Sequence, residues 1–306
     1  MISDVIKLNE EFSFHDGVNG LRFVQGESDI PRVEIHNEQA SAVISLQGAH
    51  VLSWQPFGHD EVIWLSDNAN FSRGKSVRGG IPVCWPWFGP NEMNSAFPAH
   101  GFARTVLWRV ISTRQLPDGG TQITFELDTS KTDEKYHHMW PMATLVQYCI
   151  TISKTLTLEL TTYNHCEHSI TIGQALHTYF KVDDVRKVSV FGLEGKEYLD
   201  KTVGFKRKLQ SGSITIDREV DRVYLQTPDE IVIDDAKRKI IINKQGSQSS
   251  VVWNPWVKLA EKMGDMGKDG YLKMLCVESA NVAVDTVNIR SGEKHTLSVS
   301  YNVEKY

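Results

Sequence analysis

The segment Leu297-Ser298-Val299-Ser300-Tyr301-Asn302-Val303 alternates apolar with polar side chains over its whole length. Successive side chains of a β-strand point to opposite faces of the sheet, so this period of two predicts a strand with one buried face. The same alternation occurs at residues 123–127, 156–160 and 231–233. These segments indicate a protein built from antiparallel β-strands.

Turn-forming residues lie between the strand-like segments, at Asp16-Gly17, Asn19-Gly20, 117–120, Ser211-Gly212 and Ser291-Gly292. Many short strands separated by turns are typical of a β-sandwich or a β-barrel. No Pro/Ser-rich linker, low-complexity tract or internal repeat interrupts the pattern. We therefore expect residues 1–306 to form a single all-β domain.

Two segments are predicted to be helical. The first, residues 255–263, begins with a proline, which suits the first turn of a helix, and is followed by Gly264, which suits its end. The second is a short helical turn around residues 67–73. In contrast, residues 76–104 are rich in Gly, Pro and aromatic residues and predict a long irregular loop, a kind of segment that often carries function.

Composition and charge are those of an ordinary globular protein, with 41% hydrophobic and 23% charged residues. The net charge of −5 comes from interleaved acidic and basic residues, without a basic stripe of the kind that binds nucleic acid. No apolar stretch approaches the roughly 20 residues that span a bilayer. The first residues lack the basic and apolar regions of a secretory signal. We expect no nucleic-acid or membrane partner.

The four cysteines, Cys84, Cys149, Cys166 and Cys276, lie far apart and form no Cys-x-x-Cys pair. This spacing argues against a zinc site and predicts free thiols in a reducing compartment. We therefore expect a cytoplasmic protein without a metal.

The loop at residues 77–90 combines Arg78 and two adjacent glycines with the aromatic residues Trp85, Trp87 and Phe88. Adjacent glycines let a backbone approach a ligand closely, aromatic faces pack against rings such as those of sugars, and a guanidinium binds hydroxyls or phosphate. The alternative is a tight loop whose aromatic side chains only close the end of the sandwich. The residues alone leave both interpretations open.

A second short connection, residues 98–104, contains His100 and Arg104. His100 is either a ligand-binding residue or a hydrogen-bonded structural histidine. Arg104 would form an anion site with Arg78 if the two residues lie close together, because a few arginines dominate the field inside a cleft.

Two strand-like segments carry single ionisable residues in apolar surroundings. In residues 170–180 the alternation places His177 on one face with Gly173 and Ala175, whose small side chains leave space for a ligand. Glu278 directly follows an apolar run, where an unpartnered carboxylate is costly to bury. Each residue is either structural or part of an active site, and Glu278 in a site would have a raised pKa.

Asp221 precedes Arg222 at the start of another strand-like segment. Its carboxylate could accept hydrogen bonds from the hydroxyls of a ligand. The alternative is a turn residue or an ion-pair partner of Arg222.

Five motifs, taken in order, resemble those of the hexose-6-phosphate mutarotases, the glucose-6-phosphate 1-epimerase branch of the aldose 1-epimerase superfamily. They are Arg78-Gly-Gly-Ile-Pro with the following Trp-Pro-Trp-Phe-Gly, His100-Gly-Phe-Ala-Arg104, Leu176-His177-Thr178-Tyr179-Phe180, Asp221-Arg222-Val223-Tyr224 and Glu278-Ser279-Ala280. Each motif is weak alone, but five in the family's order are specific, and the resemblance covers nearly the whole chain.

The resemblance implies a galactose-mutarotase-like antiparallel β-sandwich (a supersandwich) with a few short helices, whose concave face binds the sugar. It also implies that His177 is the general acid at the ring oxygen O5 and that Glu278 is the general base at the C1 hydroxyl. In such a reaction the ring opens to the aldehyde, the aldehyde group rotates about the C1–C2 bond, and the ring closes on the other face. Each positioned group contributes about 10²–10⁴-fold to the rate, and no metal or organic cofactor is required.

The same resemblance implies the substrate contacts. Arg78 and Arg104 would hold the 6-phosphate of a hexose 6-phosphate, and His100 and Asp221 would bind the sugar. Members of the family often have glutamine directly before the histidine of the His-Gly-Phe-Ala-Arg motif, whereas this chain has Ala99. A hydrogen bond to the substrate is therefore missing here or is supplied by another residue. We expect the enzyme to be a monomer that acts on glucose 6-phosphate or a related hexose 6-phosphate.

Two other functions stay open. One is a mutarotase for unphosphorylated aldoses, which the two arginines disfavour because bidentate contacts to phosphate suit arginine. The other is a non-catalytic carbohydrate-binding protein on the same scaffold, since a fold does not fix a function. The presence of both His177 and Glu278 argues against the second, because binding alone needs neither an acid nor a base.

Overall fold

The computed structural model describes residues 2–15 and 19–306, and the turn predicted at Asp16-Gly17 lies outside them. Within the described residues the chain forms 24 strands and three α-helices. The helices are α1 (Ile2–Phe12), α2 (Glu134–Met139) and α3 (Trp256–Met263).

The strands of the first half of the chain are β1 (Phe14–His15), β2 (Gly20–Gln25), β3 (Pro31–His36), β4 (Ala40–Ser45), β5 (His50–Pro56), β6 (Val83–Cys84), β7 (Arg109–Gln115), β8 (Thr121–Asp128), β9 (Thr144–Ile152) and β10 (Leu156–Asn164). Those of the second half are β11 (Ile170–Ile172), β12 (Gln174–Leu176), β13 (Tyr179–Lys181), β14 (Ser189–Phe191), β15 (Glu197–Asp200), β16 (Lys206–Leu209), β17 (Ile214–Thr215), β18 (Val220–Leu225), β19 (Glu230–Asp234), β20 (Arg238–Gln245), β21 (Ser249–Asn254), β22 (Met274–Asn281), β23 (Val287–Ile289) and β24 (Lys294–Lys305).

Three large sheets and one small pair of strands contain these elements. The five-stranded sheet has the order β1-β2-β3-β4-β5, and the nine-stranded sheet has the order β17-β14-β19-β20-β24-β10-β9-β8-β7. The eight-stranded sheet has the order β16-β15-β18-β21-β22-β12-β6, with β13 also paired to β22, and β11 pairs with β23. All of these strand pairs are antiparallel, which confirms the predicted all-β antiparallel sandwich.

The alternating segments lie in strands, as predicted. Residues 123–127 lie in β8, 156–160 in β10, 231–233 in β19 and 297–303 in β24. In β24 the side chains of Leu297, Val299, Tyr301 and Val303 are buried, whereas the polar residues between them are partly exposed. The buried residues join a main core to which all three large sheets contribute. Burial of these apolar faces therefore holds the sandwich together.

The predicted helix at residues 255–263 is present as α3. It begins at Trp256 and ends before Gly264, which adopts the left-handed conformation with φ of 75°. The helical turn predicted around residues 67–73 is wrong, because the structure has only turns there. One reason is that the hydroxyl of Ser66 accepts a hydrogen bond from the backbone N–H of Asn68 at 3.1 Å and so competes with a helical pattern.

The sequence did not predict α1, although its apolar residues have helical spacing. Val5, Leu8 and Phe12 are partly buried and pack against the main core. Among the described residues, none of the helices has the length and apolar character to cross a membrane. All four cysteines are free, as their spacing predicted.

The eight-stranded sheet buries residues on both of its faces. Leu275 and Val277 of β22 enter the main core. Met274, Cys276 and Ala280 of the same strand belong to a second apolar cluster, on the opposite face. Since side chains two positions apart share a face of a strand, Glu278 also lies on this second face.

We predict that Leu158→Ala and Glu159→Ala, two neighbouring substitutions in β10, differ strongly in their effect on stability. Leu158 is buried, and its truncation should lower the free energy of unfolding by about 2–5 kcal/mol. Glu159 is exposed on the other face, and its truncation should change that energy by less than about 0.5 kcal/mol. Urea unfolding followed by circular dichroism measures both, and equal losses would contradict the assigned faces.

Candidate active site

The antiparallel register of the eight-stranded sheet places His177 opposite Glu278. Leu176 pairs with Ser279 before the break between β12 and β13, and the same register resumes after the break. Counting along from either side brings residue 177 opposite residue 278. Directly opposite residues lie on one face of a sheet, so both side chains lie on the face with the second apolar cluster.

The side chains of His177 and Glu278 contact each other, with 3.3 Å between Nε2 and Oε1. Burial is the main cause that lowers the pKa of His177 well below its ordinary value and raises the pKa of Glu278 well above its own. Both shifts favour the neutral forms of the two groups. His177 Nδ1 and Glu278 Oε2 are buried without a hydrogen-bond partner among the described residues, so the hydrogen-bonding capacity of both atoms is unused.

Neighbouring rings hold the imidazole of His177 in place. The Tyr179 ring is stacked on it, with 4.9 Å between the centroids and 11° between the planes. The Trp253 and His100 rings meet it edge-on, at centroid distances of 6.0 Å and 5.8 Å. These contacts restrict rotation of the imidazole, so Nε2 stays directed at Glu278.

Arg78 belongs to the same site, but its guanidinium is already engaged. Its Nε donates a hydrogen bond to Asp265 Oδ1 at 3.0 Å, and its Nη1 donates to the hydroxyl of Tyr179 at 3.0 Å. Asp265 follows α3, so the loop after that helix sets the direction of Arg78. Tyr179 links Arg78 to His177, because it bonds to one residue and stacks on the other.

His100 lies in a strained part of the loop, with φ of 66°. Its Nδ1 accepts a hydrogen bond from the backbone N–H of Gly89 at 3.3 Å. Burial, followed by the positive charges of Arg104, Lys201 and Arg78, lowers the pKa of His100 to about 3. His100 is therefore neutral at physiological pH and lies where three cationic side chains converge.

Arg104 is the cation of this group that has no carboxylate partner among the described residues. Its Nη2 donates to the carbonyl oxygen of Ala99 at 2.8 Å, and its Nε is buried without a hydrogen-bond partner. After burial and His100, its charge is the next cause that lowers the pKa of His177, and Arg78 acts on the same imidazole. The structure thus brings both predicted arginines to the surroundings of His177.

Asp221 lies in β18 and forms an ion pair with Lys201, not with Arg222. Lys201 Nζ is 2.7 Å from Asp221 Oδ2, while Arg222 donates to Gln210 instead. Burial raises the pKa of Asp221, and the charge of Lys201 opposes that rise. Asp221 Oδ1 is buried without a partner among the described residues, so it is an acceptor whose capacity is unused.

The aromatic residues of the loop divide between the two interpretations. Trp85 is fully buried in the main core, where its Nε1 donates to Thr162 Oγ1 at 3.1 Å, and Trp87 packs against the same core. Phe88 packs against the second cluster, and its ring centroid is 4.7 Å from that of His100. Trp85 and Trp87 therefore close the end of the core, whereas Phe88 faces the site.

Glycines allow the loop to approach the sheet closely. A Cβ on Gly80, whose φ is +71°, would lie 2.2 Å from His50 Nε2. A Cβ on Gly101, whose φ is +70°, would lie 1.9 Å from the carbonyl oxygen of Trp85. Both positions exclude larger residues, and they fix the backbone next to Arg78 and His100.

The site as a whole is equipped for proton transfer next to an anion. An imidazole and a carboxyl group are in contact, each with one atom that has no hydrogen-bond partner among the described residues, and Arg78, Arg104 and Lys201 supply positive charge. Hydroxyl groups would satisfy the available donor and acceptor atoms. Within the part of the chain that the structure describes, no three His, Cys, Asp or Glu side chains are grouped to hold a metal ion.

Three residues of the site were not predicted from the sequence: Lys201, Trp253 and Asp265. Trp253 lies opposite Asp221 on the neighbouring strand, and Lys201 comes one position after the last pair of β15 with β18. Only the register reveals these positions. Asp265 directly follows Gly264, the glycine after α3, but nothing in the sequence connects Asp265 with Arg78.

Comparisons with known proteins agree with this geometry. The model of the family described as aldose 1-epimerase matches residues 31–302. A protein of Escherichia coli (strain K12), named "Putative glucose-6-phosphate 1-epimerase", is 39% identical over 280 residues, which cover 90% of this chain and 92% of that protein. A protein of the same name from Salmonella typhimurium (strain LT2) is 40% identical over 254 residues, covering 82% of this chain and 83% of the relative.

One solved structure is similar to this chain over almost the entire length of the chain. It is the crystal structure of a "putative mutarotase" from Salmonella typhimurium, which superposes with a TM-score of 0.86 at 33% sequence identity. The similarity covers 99% of this chain and 100% of that structure. This chain therefore has the same fold as that putative mutarotase.

We predict that Gly101→Ala destabilises the protein more than Gly89→Ala, a control in the same loop. Both glycines have φ between 70° and 75°, but a Cβ on Gly89 would meet no atom within 4 Å. Left-handed strain alone should cost Gly89→Ala about 1–2 kcal/mol. The clash with Trp85 should cost Gly101→Ala about 1–3 kcal/mol more. Urea unfolding measures the difference, and equal losses would mean that the loop moves away freely.

Proposed function

The chain belongs to the aldose 1-epimerase family, and from this premise we propose that it is a mutarotase that interconverts the α and β anomers of hexose 6-phosphates, with glucose 6-phosphate as substrate. The proposal rests above all on the 3.3 Å contact between His177 and Glu278, an acid and a base side by side on one face of a sheet. A protein that only binds sugars has no need to bury two such groups together, since burial of each is costly.

In the proposed mechanism, ring opening needs one proton to leave and one to arrive. Glu278 removes the proton from the C1 hydroxyl, the C1–O5 bond breaks as the carbonyl forms, and His177 gives its proton to O5. The two side chains can serve O1 and O5 together, because these oxygens are bonded to one carbon and the two groups are adjacent. Closure reverses both transfers after rotation about C1–C2, which leaves the enzyme unchanged.

The protonation state of the pair must change before the first step. Burial favours a neutral acid and a neutral imidazole, whereas the mechanism starts from carboxylate and imidazolium. We propose that the carboxyl proton of Glu278 moves to His177 when substrate hydroxyls bind to Glu278 Oε2, because hydrogen bonds favour the carboxylate. The charge of Lys201 acts in the same direction, since it opposes the effect of burial on the pKa of Glu278, whereas Arg104 lowers the pKa of both groups.

The 6-phosphate is proposed to bind Arg104 with help from Arg78. Among the described residues Arg104 has no ion pair and its Nε has no hydrogen-bond partner, so its guanidinium can form a charged hydrogen bond to phosphate. Arg78 already shares its charge with Asp265 and should contribute less.

The hydroxyls are proposed to bind Asp221 through its unpartnered Oδ1 and to contact the neutral His100. The methyl side chain of Ala99 cannot form a hydrogen bond to the sugar, unlike the glutamine frequent in the family. Its backbone carbonyl instead orients Arg104, so we propose that this position acts on the substrate only through that arginine.

We predict that His177→Asn and Glu278→Gln each lower kcat/KM for mutarotation by at least about 10²-fold, because each removes one proton-transfer group. NMR exchange spectroscopy between α- and β-glucose 6-phosphate measures the rate directly. His168→Asn and Glu167→Gln serve as controls at exposed positions and should exchange like the wild type. Unchanged exchange in either site variant, with circular dichroism showing an intact fold, would refute the assignment.

We also predict that Arg104→Met raises KM for glucose 6-phosphate by about tenfold to a hundredfold, as expected for loss of a hydrogen bond between charged groups worth about 1.5–3 kcal/mol. KM for free glucose should change little, and Arg78→Met should have a smaller effect on the phosphorylated substrate. Arg218→Met is the control, since Arg218 is exposed and its ion pair among the described residues is with Asp217. Equal losses for both substrates would favour a mutarotase for unphosphorylated sugars.

A further inference from the structure

Lys201 lies at the site although no sequence motif includes it. It begins a short 3-10 turn (Lys201–Val203) directly after β15. The last pair between β15 and β18 joins Asp200 to Arg222, so the next position brings Lys201 opposite Asp221. Cross-strand neighbours on one face interact directly, which accounts for the 2.7 Å ion pair between the two side chains.

The ammonium group of Lys201 also reaches the loop on the other side of the site. Its Nζ lies 5.9 Å from the centroid of the Phe88 ring, and Phe88 contacts His100. The side chains of Lys201 and Asp221 are mostly buried, with exposed fractions of 24% and 19%. The ion pair is thus enclosed between the sheet and the loop and does not project into solvent.

The pair offers one acceptor and at least one donor side by side. Asp221 uses Oδ2 for Lys201 and keeps Oδ1, which is buried without a partner among the described residues. An ammonium group has three N–H donors, and the ion pair occupies one of them. Two adjacent hydroxyl groups of a sugar match such a set, because one hydroxyl can donate to Oδ1 while its neighbour accepts from Nζ.

We propose that Lys201 is a specificity-determining residue that acts with Asp221 as one unit to bind a vicinal pair of sugar hydroxyls, with Asp221 as acceptor and Lys201 as donor. This inference rests on the proposed sugar-binding function and adds a residue to it. A site built to hydrogen-bond a hydroxyl rejects an analogue that lacks the hydroxyl, because its own buried polar atoms then stay unpaired.

A phosphate is a poorer match for Lys201 than a hydroxyl pair. The charge of Lys201 is compensated by Asp221 at 2.7 Å, and a phosphate beside it would also meet that carboxylate. Arg104, which has no carboxylate partner among the described residues, is the better phosphate ligand. The two cations therefore bind different parts of the substrate: Arg104 binds the phosphate, and Lys201 binds the ring hydroxyls.

The test measures the Kd of wild type and Lys201→Met by isothermal titration calorimetry. The ligands are glucose 6-phosphate, free glucose, and the 2-deoxy, 3-deoxy and 4-deoxy forms of glucose 6-phosphate. Lys201→Met keeps most of the side-chain stem and removes the donor. The matched control is Lys208→Met on the same hairpin, which breaks a similar ion pair to Asp200 that faces away from Asp221 in the strand alternation.

We expect Lys201→Met to raise the Kd of glucose 6-phosphate and of free glucose by the same factor. That factor should be about tenfold, because the variant loses one hydrogen bond that involves a charged group. With one deoxy analogue the wild type should bind as weakly as the variant, because the contacted hydroxyl is absent. Lys208→Met should bind all ligands like the wild type.

Three results would overturn the proposal. They are an unchanged Kd in Lys201→Met, a loss confined to the phosphorylated sugars, and a difference from wild type that persists with every deoxy analogue. NMR anomer exchange by the wild type separates this proposal from the proposed function. Binding without exchange would overturn only the mutarotase assignment, whereas absence of sugar binding would overturn both.

Discussion

The pairing of β22 with β12 and β13 is the constraint on which the site depends. Its register puts His177 opposite Glu278, and a slip of one residue would turn one of the two side chains to the other face of the sheet. That register is held from the other side, where Leu176, Leu275 and Val277 fill the main core. Apolar packing on the opposite face of the sheet therefore aligns His177 with Glu278. The contact between the two ionisable groups contributes little to this alignment, because burial disfavours their charged forms.

The buried pair also stores free energy that a ligand can recover. His177 Nδ1 and Glu278 Oε2 have no hydrogen-bond partner among the described residues, and each such atom costs about 1–3 kcal/mol. Hydroxyls that reach these atoms remove this cost at the reacting centre itself. In the proposed mechanism, binding energy would then be directed to the atoms that change during the reaction, where it lowers a barrier. Both pKa shifts favour the neutral forms, which cost less to bury than two charges.

Sequence periodicity predicts the strands because an apolar face must be buried wherever a strand packs on the core. The same logic fails for α1, whose apolar stripe of Val5, Leu8 and Phe12 is narrow and lies among polar residues. Motifs point to His177 and Glu278 one at a time. Their contact depends on register, which neither segment encodes alone. Lys201 belongs to none of the motifs. Its place in the site follows from its position opposite Asp221, which is defined when β15 pairs with β18.

Charge compensation decides which ligand the site admits. The chain carries a net charge of −5, so attraction of an anion must come from local groups. Arg78 and Lys201 are compensated by Asp265 and Asp221, whereas Arg104 has no carboxylate partner among the residues that the structure describes. One anionic group can therefore bind at the Arg104 end, whereas a second one at the other end would meet the carboxylate of Asp221. This asymmetry favours a sugar that carries one phosphate and presents neutral hydroxyls elsewhere.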